Sequence, residues 1–408
     1  MEESVFMKCE AELQKNVGWI DRSLFWCFCS VFFFIPLATS PAVIAGCLAL
    51  GIWLFSGKFW KERQNWLNQK WTKPVIVFAL LPWTGLLWSN DISTGLHFAQ
   101  KSYYWLYAFA IASTAFSVRD IRTLLNSFIA GLLLVSTISW MQFAGLIPFV
   151  KGLPTILAWG GKYITLSLLF VFGILVLSFY FSRVREIKYK RFIIFLMLYF
   201  YSTLFLSPGR IGYLTFGLLS PLIIYNLLGQ RHIIKIAAIT TLITGALFLS
   251  PTVQSRVALV TNDVKSYREM NPDTSVGLRL HVWKGAIRIF LENPIFGTGT
   301  GGYQLAMKKY ETPQLPCEVY KFSQPHNSFL YMAANFGMVG LSSLFWLFGV
   351  LLKNGWQNRQ HITGFSILTF TLVLLIGSLT DTQILSVATG MLFALLTGLQ
   401  KHLPLNET

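Results

Sequence analysis

Long apolar blocks, separated by short polar or basic stretches, run along almost the whole chain. Their lengths are close to the roughly 17–25 residues that an α-helix needs to cross a bilayer. The pattern therefore predicts an all-α, polytopic membrane protein with about twelve transmembrane helices. The predicted spans are 24–40, 41–56, 74–90, 102–117, 123–143, 163–182, 192–206, 211–228, 233–250, 328–352, 363–379 and 384–399.

The spacing of the blocks divides the chain into three parts. Residues 1–250 hold the first nine predicted spans, and residues 328–408 hold the last three spans and a tail. Residues 251–327 form a loop that is too short for an ordinary domain. We expect this loop to pack on the membrane domain as a lid.

One helix and one turn are predicted within the loop. Residues 275–294 place apolar side chains close to helical spacing, with Ser275 as the cap and Pro294 as the stop. The Gly-rich stretch 297–303 is expected to be a flexible turn, since it lacks the Lys-Ser/Thr of a phosphate-binding loop and follows no predicted strand. Outside the loop, the apolar stretch 145–163 is broken by Pro and Gly, which predicts an interfacial or re-entrant segment.

The distribution of Lys and Arg predicts the orientation. With both termini in the cytoplasm, 20 of the 33 basic residues fall on inner segments and only 4 on short outer segments. Basic cytoplasmic loops facing anionic headgroups also account for the net charge of +16. Because the chain has no basic domain, we expect no binding to nucleic acid.

The cysteines predict neither a disulfide framework nor a metal site, since only one of them falls on the outer side and no Cys/His ligand spacing occurs. They are Cys9, Cys27, Cys29, Cys47 and Cys317.

Several polar side chains collect at the predicted outer boundary of the membrane. Each has an ordinary explanation, because an arginine at a span end can reach headgroups, an arginine on a loop helix can be solvated, a His-Asn pair can cap a helix and an aspartate can shape a turn. These residues are Arg210, Arg279, His326, Asn327 and Asp381.

Taken together, the same residues suit one reaction. Two guanidinium groups can hold a diphosphate through bidentate, charge-assisted hydrogen bonds. An imidazole can take a proton from a hydroxyl. The sequence has no Asp-x-Asp and no Gly-x-Ser-x-Gly, and the predicted spans are almost free of ionisable residues. The chemistry is therefore expected at the outer surface, with a lipid-linked diphosphate as the activated donor.

Four segments make a family resemblance recognisable. They are PGRIGYL (208–214), NDVKSYREMNPDTSVGLRLHVW (262–283), ENPIFGTG (292–299) and HNSFLYMAANFGMVG (326–340). With them the sequence resembles the O-antigen ligases of Gram-negative bacteria, within a superfamily that includes O-antigen polymerases and bacterial O-oligosaccharyltransferases. Segment 326–340 is typical of the whole superfamily, whereas segment 262–283 is more similar to ligases.

The resemblance implies an enzyme of the bacterial inner membrane whose active site faces the periplasm. Such an enzyme transfers O-antigen polysaccharide from undecaprenyl diphosphate to a sugar of lipid A–core, with inversion and without a metal or cofactor. The implied partners are the lipid-linked donor, the lipid A–core acceptor and membrane lipids.

Position by position, the resemblance also implies roles. Arg210 and Arg279 match the diphosphate-binding arginines of the family, and His326 matches its essential histidine, the base for the acceptor hydroxyl. Asp381 is a weaker match to an acidic residue that ligases often carry. The candidate supporting residues are Asn327, Asp381 and Arg288.

Three alternatives stay open. An O-antigen polymerase of the same superfamily would use the same donor and a different acceptor. A polysaccharide transporter would fit the number of spans, although the uncharged spans argue against coupling to ions. A protein O-oligosaccharyltransferase is disfavoured because no appended domain would present a protein acceptor.

Overall fold

The computed structural model describes residues 18–149, 156–157, 162–229, 232–247, 249, 251, 253–255, 258–259, 274–310 and 322–403. Within these residues every regular element is helical and there is no strand. Its α-helices, in chain order, are α1 (Trp19–Phe34), α2 (Thr39–Phe55), α3 (Lys58–Leu67), α4 (Thr72–Thr84), α5 (Ile92–Gln100), α6 (Leu106–Ala112), α7 (Val118–Phe143), α8 (Lys162–Arg183), α9 (Ile187–Leu206), α10 (Arg210–Leu228), α11 (Ile233–Leu247), α12 (Ser275–Glu292), α13 (Gly302–Met307), α14 (Ser328–Gln357), α15 (Ile362–Gly377) and α16 (Val387–Gly398).

Five of the described helices are long and apolar enough to cross a membrane, namely α7, α8, α9, α10 and α14. A sixth span is reached if α2 and α3, which bend by 95° at a short break, are taken as one. The prediction of an all-helical, multi-pass membrane protein is confirmed. The number of twelve spans, the cytoplasmic termini and the periplasmic side of the long loop stay predictions.

Predicted span 102–117 is not one long helix. A 3₁₀ helix, Lys101–Trp105, leads into α6, which has only 7 residues. Helix α6 packs against α2 and α16, and Tyr107 is fully buried. The apolar composition of this stretch therefore reflects burial inside the bundle, which sequence hydropathy alone does not distinguish from contact with lipid.

Helix α8 lies at the centre of the bundle. It packs against α7, α9, α10 and α15. Residues 168–172 have no exposed surface, so every face of the helix is covered at this level. Because α8 is central, its two ends lie next to the ends of several other helices.

Helix α14 is broken at Gly337, whose φ of 59° and ψ of −147° lie outside the helical region. Such a break leaves backbone amides and carbonyls without their partners inside the helix. The amides are satisfied by the chain that precedes the Gly-rich stretch. The N–H groups of Met338 and Val339 donate to the carbonyls of Pro294 and Ile295, at 2.8 and 3.2 Å.

The Gly-rich stretch 297–303 satisfies the carbonyls on the other side of the break. The N–H groups of Thr298 and Gly299 donate to the carbonyls of Ala334 and Asn335, at 3.0 and 2.9 Å. The stretch is therefore a turn, as expected, and its backbone is hydrogen-bonded to α14. Two of the four recognisable segments thus form one structural unit.

Candidate functional site

A cavity of about 240 Å³ lies at the end of the bundle where α8, α10 and α12 begin. Tyr163 of α8, Arg210 of α10 and Val276 of α12 line it, each within the first turn of its helix. Arg279, one turn further along α12, lines the same cavity. The two arginines singled out from the sequence therefore share one cavity.

The local sequence explains the place of Arg210. The connection after α9 ends at Pro208 and Gly209, and α10 begins at Arg210 itself. Gly212 lets α10 lie close to α8, because a Cβ at this position would come within 2.5 Å of the Cβ of Ser167. Arg210 thus lies at a helix N-terminus.

The start of α12 places Arg279. The hydroxyl of Thr274 caps the helix by accepting from the N–H of Gly277 at 3.0 Å. The prediction that Ser275 is the cap is wrong by one residue, because the backbone of Thr274 is extended whereas Ser275 already belongs to the helix.

The cavity is built to attract an anion. Three helix N-termini meet at it, each equivalent to about half a positive charge. Two guanidinium groups add full charges and offer paired N–H groups that match phosphate oxygens. The rest of the wall is largely apolar and includes Ile164, Ile211, Leu214 and Leu280. This combination fits a phosphate group joined to an apolar chain.

His326 and Asp381 form a hydrogen-bonded pair. Nδ1 of His326 lies 3.0 Å from Oδ1 of Asp381, and the two side chains are 27% and 20% exposed. A carboxylate only accepts, so Nδ1 carries the hydrogen, and in the neutral form of the ring the lone pair is on Nε2. The imidazole is therefore oriented to take a proton at Nε2 from a ligand that reaches it.

The backbone at His326 has an unusual conformation, with a φ of 49°. Such a positive φ costs about 1–3 kcal/mol and persists where the surroundings impose it. Two hydrogen bonds hold the neighbouring backbone. The indole N–H of Trp283 donates to the carbonyl of Pro325 at 2.9 Å, and the N–H of Ser328 donates to the carbonyl of Ser378 at 2.9 Å.

Asn327, and not His326, caps α14. Its Oδ1 accepts from the N–H groups of Phe329 and Leu330, at 2.9 and 3.0 Å, and its Nδ2 donates to the carbonyl of Leu379 at 2.9 Å. Because the amide fills the capping role, the imidazole of His326 is left for its carboxylate partner.

The pair lies beside the arginine cavity without lining it. Thr380, which precedes Asp381, lines the cavity, and so does Trp283, which is hydrogen-bonded next to His326. The structure therefore brings the two arginines into one cavity and places the histidine and aspartate at its edge.

Arg288 lies elsewhere on α12. It follows Arg279 by nine residues, and at roughly 100° per residue this places it on the opposite face of the helix. Its guanidinium lies over the ring of Tyr310 at 5.6 Å, and the hydroxyl of Tyr310 donates to Glu292 at 2.6 Å. Burial and this hydrogen bond raise the pKa of Tyr310 to about 12. A supporting role for Arg288 stays a prediction.

Sequence reasoning missed two residues of the site, Trp283 and Gln383. Trp283 ends segment 262–283, but its contact beside His326 depends on how α12 packs. Gln383 donates to Oδ2 of Asp381 at 3.0 Å, a contact set by the geometry of a turn. Neither contact leaves a spacing signal in the sequence.

Two sequence predictions lie outside the described residues, namely the ligase-like stretch 262–273 and most of the predicted re-entrant segment 145–163. Within the described part of the chain, no three His, Cys, Asp or Glu side chains cluster closely enough to hold a metal ion. The described cysteines, Cys27, Cys29 and Cys47, are free thiols.

Comparison with known proteins matches the part of the chain that carries both arginines and the histidine. Residues 192–345 match the family model described as O-antigen ligase, and this segment includes Arg210, Arg279 and His326. The resemblance inferred from the sequence is therefore confirmed over these residues. A protein of Haemophilus influenzae, described as uncharacterized, is 30% identical over 146 residues, which are 34% of this chain and 37% of that protein. The match thus covers little more than a third of the relative's length.

Proposed function

We propose, from the match of residues 192–345 to the family model described as O-antigen ligase, that the protein transfers O-antigen polysaccharide from undecaprenyl diphosphate to a sugar of lipid A–core. The transfer takes place at the periplasmic face of the inner membrane. It inverts the anomeric centre and needs no metal.

One observation carries the proposal, the cavity in which Arg210, Arg279 and three helix N-termini meet next to an apolar wall. The positive groups suit the diphosphate of the donor, and the apolar wall suits the first units of its isoprenoid chain. Stabilising the charge that develops on the leaving diphosphate is the largest contribution expected of such a site.

The hydrogen-bonded pair supplies the base. The acceptor hydroxyl attacks the anomeric carbon while its proton passes to Nε2 of His326. The bond between that carbon and the diphosphate oxygen breaks, and its electrons leave on the diphosphate. Asp381 keeps Nδ1–H in place and stabilises the imidazolium that forms.

The distribution of charge along the helices supports the sidedness. Helices α8, α10 and α12 begin at the cavity, so the C-terminus of α8 and the start of α9 lie at the opposite end of the bundle. That end carries a dense basic stretch, as the positive-inside rule expects of the cytoplasmic side. Its basic residues are Arg183, Arg185, Lys188, Lys190 and Arg191.

The test is transfer by purified protein reconstituted with lipid-linked O-antigen and lipid A–core. His326→Ala is expected to lower kcat by about 10²–10⁴-fold, the usual contribution of a general base. His361→Ala is the matched control, because this exposed histidine lies at the start of α15, at the opposite end of the bundle, and is expected to change the rate less than twofold. A folded His326→Ala variant with near-normal transfer would remove the histidine from the mechanism.

The acceptor separates the ligase from the polymerase. With lipid A–core as the acceptor, a ligase forms polysaccharide attached to lipid A–core. With a second lipid-linked O-unit instead, a polymerase forms longer lipid-linked chains. Extension of lipid-linked units without any product on lipid A–core would replace the ligase proposal by the polymerase.

A further inference from the structure

Gln383 is a buried amide whose two ends have different partners. The residue has no exposed surface and begins the 3₁₀ helix Gln383–Leu385, two positions after Asp381. Its Nε2 donates to Oδ2 of Asp381 at 3.0 Å. The single hydroxyl hydrogen of Thr389 is shared between the backbone carbonyl of Gln383, at 2.7 Å, and its Oε1, at 3.2 Å.

These partners fix the orientation of the amide. A carboxylate only accepts, so the atom that faces Asp381 is the NH₂ group of Gln383. Reversing the amide would place two acceptors against each other and would leave the buried NH₂ group of Gln383 without its carboxylate partner, which is costly. The side chain is thus locked from both sides.

The fixed amide of Gln383 restricts the carboxylate of Asp381, which is the hydrogen-bond partner of His326. Oδ1 of Asp381 accepts from the N–H of Thr382 at 2.9 Å and lies against Nδ1 of His326, whereas Oδ2 is held by Gln383. Rotation of the carboxylate about its Cβ–Cγ bond would take Oδ1 away from the imidazole. The hydrogen bond to Oδ2 opposes that rotation.

We infer that Gln383 is a positioning residue, which holds Asp381 so that the carboxylate in turn keeps Nδ1–H of His326 in place and leaves Nε2 as the proton acceptor. The inference rests on the proposed function for its kinetic consequence. Gln383 does not line the arginine cavity, so it acts on the chemical step and not on binding of the donor.

The first test is Gln383→Leu, which keeps a similar side-chain size and removes the donor. A hydrogen bond to a charged group corresponds to about 10- to 100-fold in rate, and kcat is expected to fall by that factor. The KM for the lipid-linked donor is expected to stay within about twofold. Thr371→Val is the matched control, because it removes a buried hydroxyl that donates to the carbonyl of Ile367 within α15 and touches neither Gln383 nor Thr389, and it is expected to retain most of the rate. An unchanged kcat in Gln383→Leu would overturn the inference.

A double mutant separates positioning from a general loss of structure. In the Asp381→Asn background, Gln383→Leu is expected to cause less than about a twofold further loss, because the group through which it acts has already been changed. A purely structural role predicts the same loss in both backgrounds. A further tenfold loss in the double mutant would therefore contradict the inference.

A measurement of the His326 tautomer needs no turnover, so it tests the positioning role of Gln383 separately from the proposed transfer. In protein labelled with ¹⁵N-histidine, the imidazole of His326 is expected to show a single Nδ1–H tautomer, and Gln383→Leu is expected to show a mixture of tautomers. An unaltered tautomer in the variant would overturn the inference. If the wild-type protein transfers nothing to lipid A–core, the proposed function fails, and the tautomer still decides whether Gln383 positions the pair.

Discussion

The two ends of the helix bundle both carry a pair of arginines, but the pairs face opposite ends of the helix dipoles. At one end, α8, α10 and α12 begin around the cavity of Arg210 and Arg279. At the other end, three helices (α8, α10 and α14) terminate and one (α15) begins around a second cavity, of about 260 Å³, lined by Arg183 and Arg359. Along α10, the two cavities are separated by most of the length of the helix.

The second pair is engaged with helix ends. Arg183 donates to the backbone carbonyl of Gln360 at 2.8 Å and to its side-chain oxygen at 2.9 Å. Arg359 donates to the carbonyl of Trp356 at 2.8 Å and lies over its ring at 4.4 Å. Each helix C-terminus is equivalent to about half a negative charge, so these arginines offset the dipoles, whereas Arg210 and Arg279 add to them.

The difference shows what distinguishes a ligand site from ordinary anchoring of a membrane protein. Both pairs lie at helix ends, and hydropathy and charge counts treat them alike. The direction of the surrounding helices decides whether the positive charges reinforce one another or are neutralised. Of the two cavities, the one at Arg210 and Arg279 is therefore the one at which the surrounding helix N-termini have the same sign of charge as the arginines.

The largest expected effect is the loss of transfer rate when each arginine is replaced by lysine or alanine. Arg210→Ala and Arg279→Ala are each expected to lower kcat/KM for transfer by about 10²–10³-fold, the scale seen when a group that stabilises developing charge is removed. The lysine variants keep the charge but lose the paired N–H groups, so they are expected to lose about tenfold. Arg183→Lys and Arg359→Lys are the matched controls and are expected to stay within about twofold.

Non-additivity sharpens the same test. If Arg210 and Arg279 act on one diphosphate, the double alanine variant is expected to be less damaged than the product of the two single losses. Strictly multiplicative losses would show that the two arginines do not share a ligand. Equal losses at both ends of the bundle would remove the distinction drawn from the helix dipoles.

The sequence predicted the helical, multi-pass class better than it predicted how the helices pack. The helical character, the multi-pass class and most boundaries follow from apolar blocks of bilayer length, as for predicted span 211–228 and helix α10 (Arg210–Leu228). Span 102–117 differs because a buried core segment has the same composition as a lipid-facing helix. The hydrogen bond between His326 and Asp381 joins parts of the chain far apart in sequence, and no local pattern encodes it.

The Gly-rich stretch also shows that contacts between distant segments cannot be predicted from a local sequence pattern. Its glycines indicated conformational freedom, and no sequence pattern signals that this freedom serves to fit the chain into a broken helix. The break at Gly337 and the donors at Thr298 and Gly299 become visible only when both segments are placed together. A recognisable motif can therefore have a structural role even when it lies close to a candidate functional site.

A different kind of effect, on stability rather than on turnover, is expected from the break in α14. This helix connects the two ends under comparison, since His326 precedes its start and Trp356 lies near its end. Gly337→Ala is expected to lower the free energy of unfolding by about 3 kcal/mol or more, because a Cβ at this positive φ would lie 2.4 Å from the carbonyl carbon of Ile295. Gly349→Ala in the same helix is the control, since nothing lies within 4 Å of its Cβ position. The alanine there is expected to raise stability by about 0.5–1 kcal/mol.

Thermal or denaturant unfolding in detergent checks this pair of variants. A Gly337→Ala variant as stable as the parent would show that the chain does not need the break to join the Gly-rich stretch to α14. Loss of transfer without loss of stability would instead indicate that the break matters for the site and not for the fold.

The smallest change in stability is expected at the second cavity, and the assignment of opposite roles to the two arginine pairs is tested most directly there. Arg183→Gln and Arg359→Gln remove charges that offset helix C-termini, and each is expected to lower the free energy of unfolding by about 0.3–1 kcal/mol. Turnover at the opposite end is expected to stay within about twofold, because the hydrogen bonds that are lost join only the ends of α8 and α14 and the turn between α14 and α15. The measurement is an unfolding curve for each variant beside its transfer rate. A fall in turnover that exceeds the fall in stability would mean that the second pair contributes to the reaction, and the assignment of opposite roles to the two pairs would then be wrong.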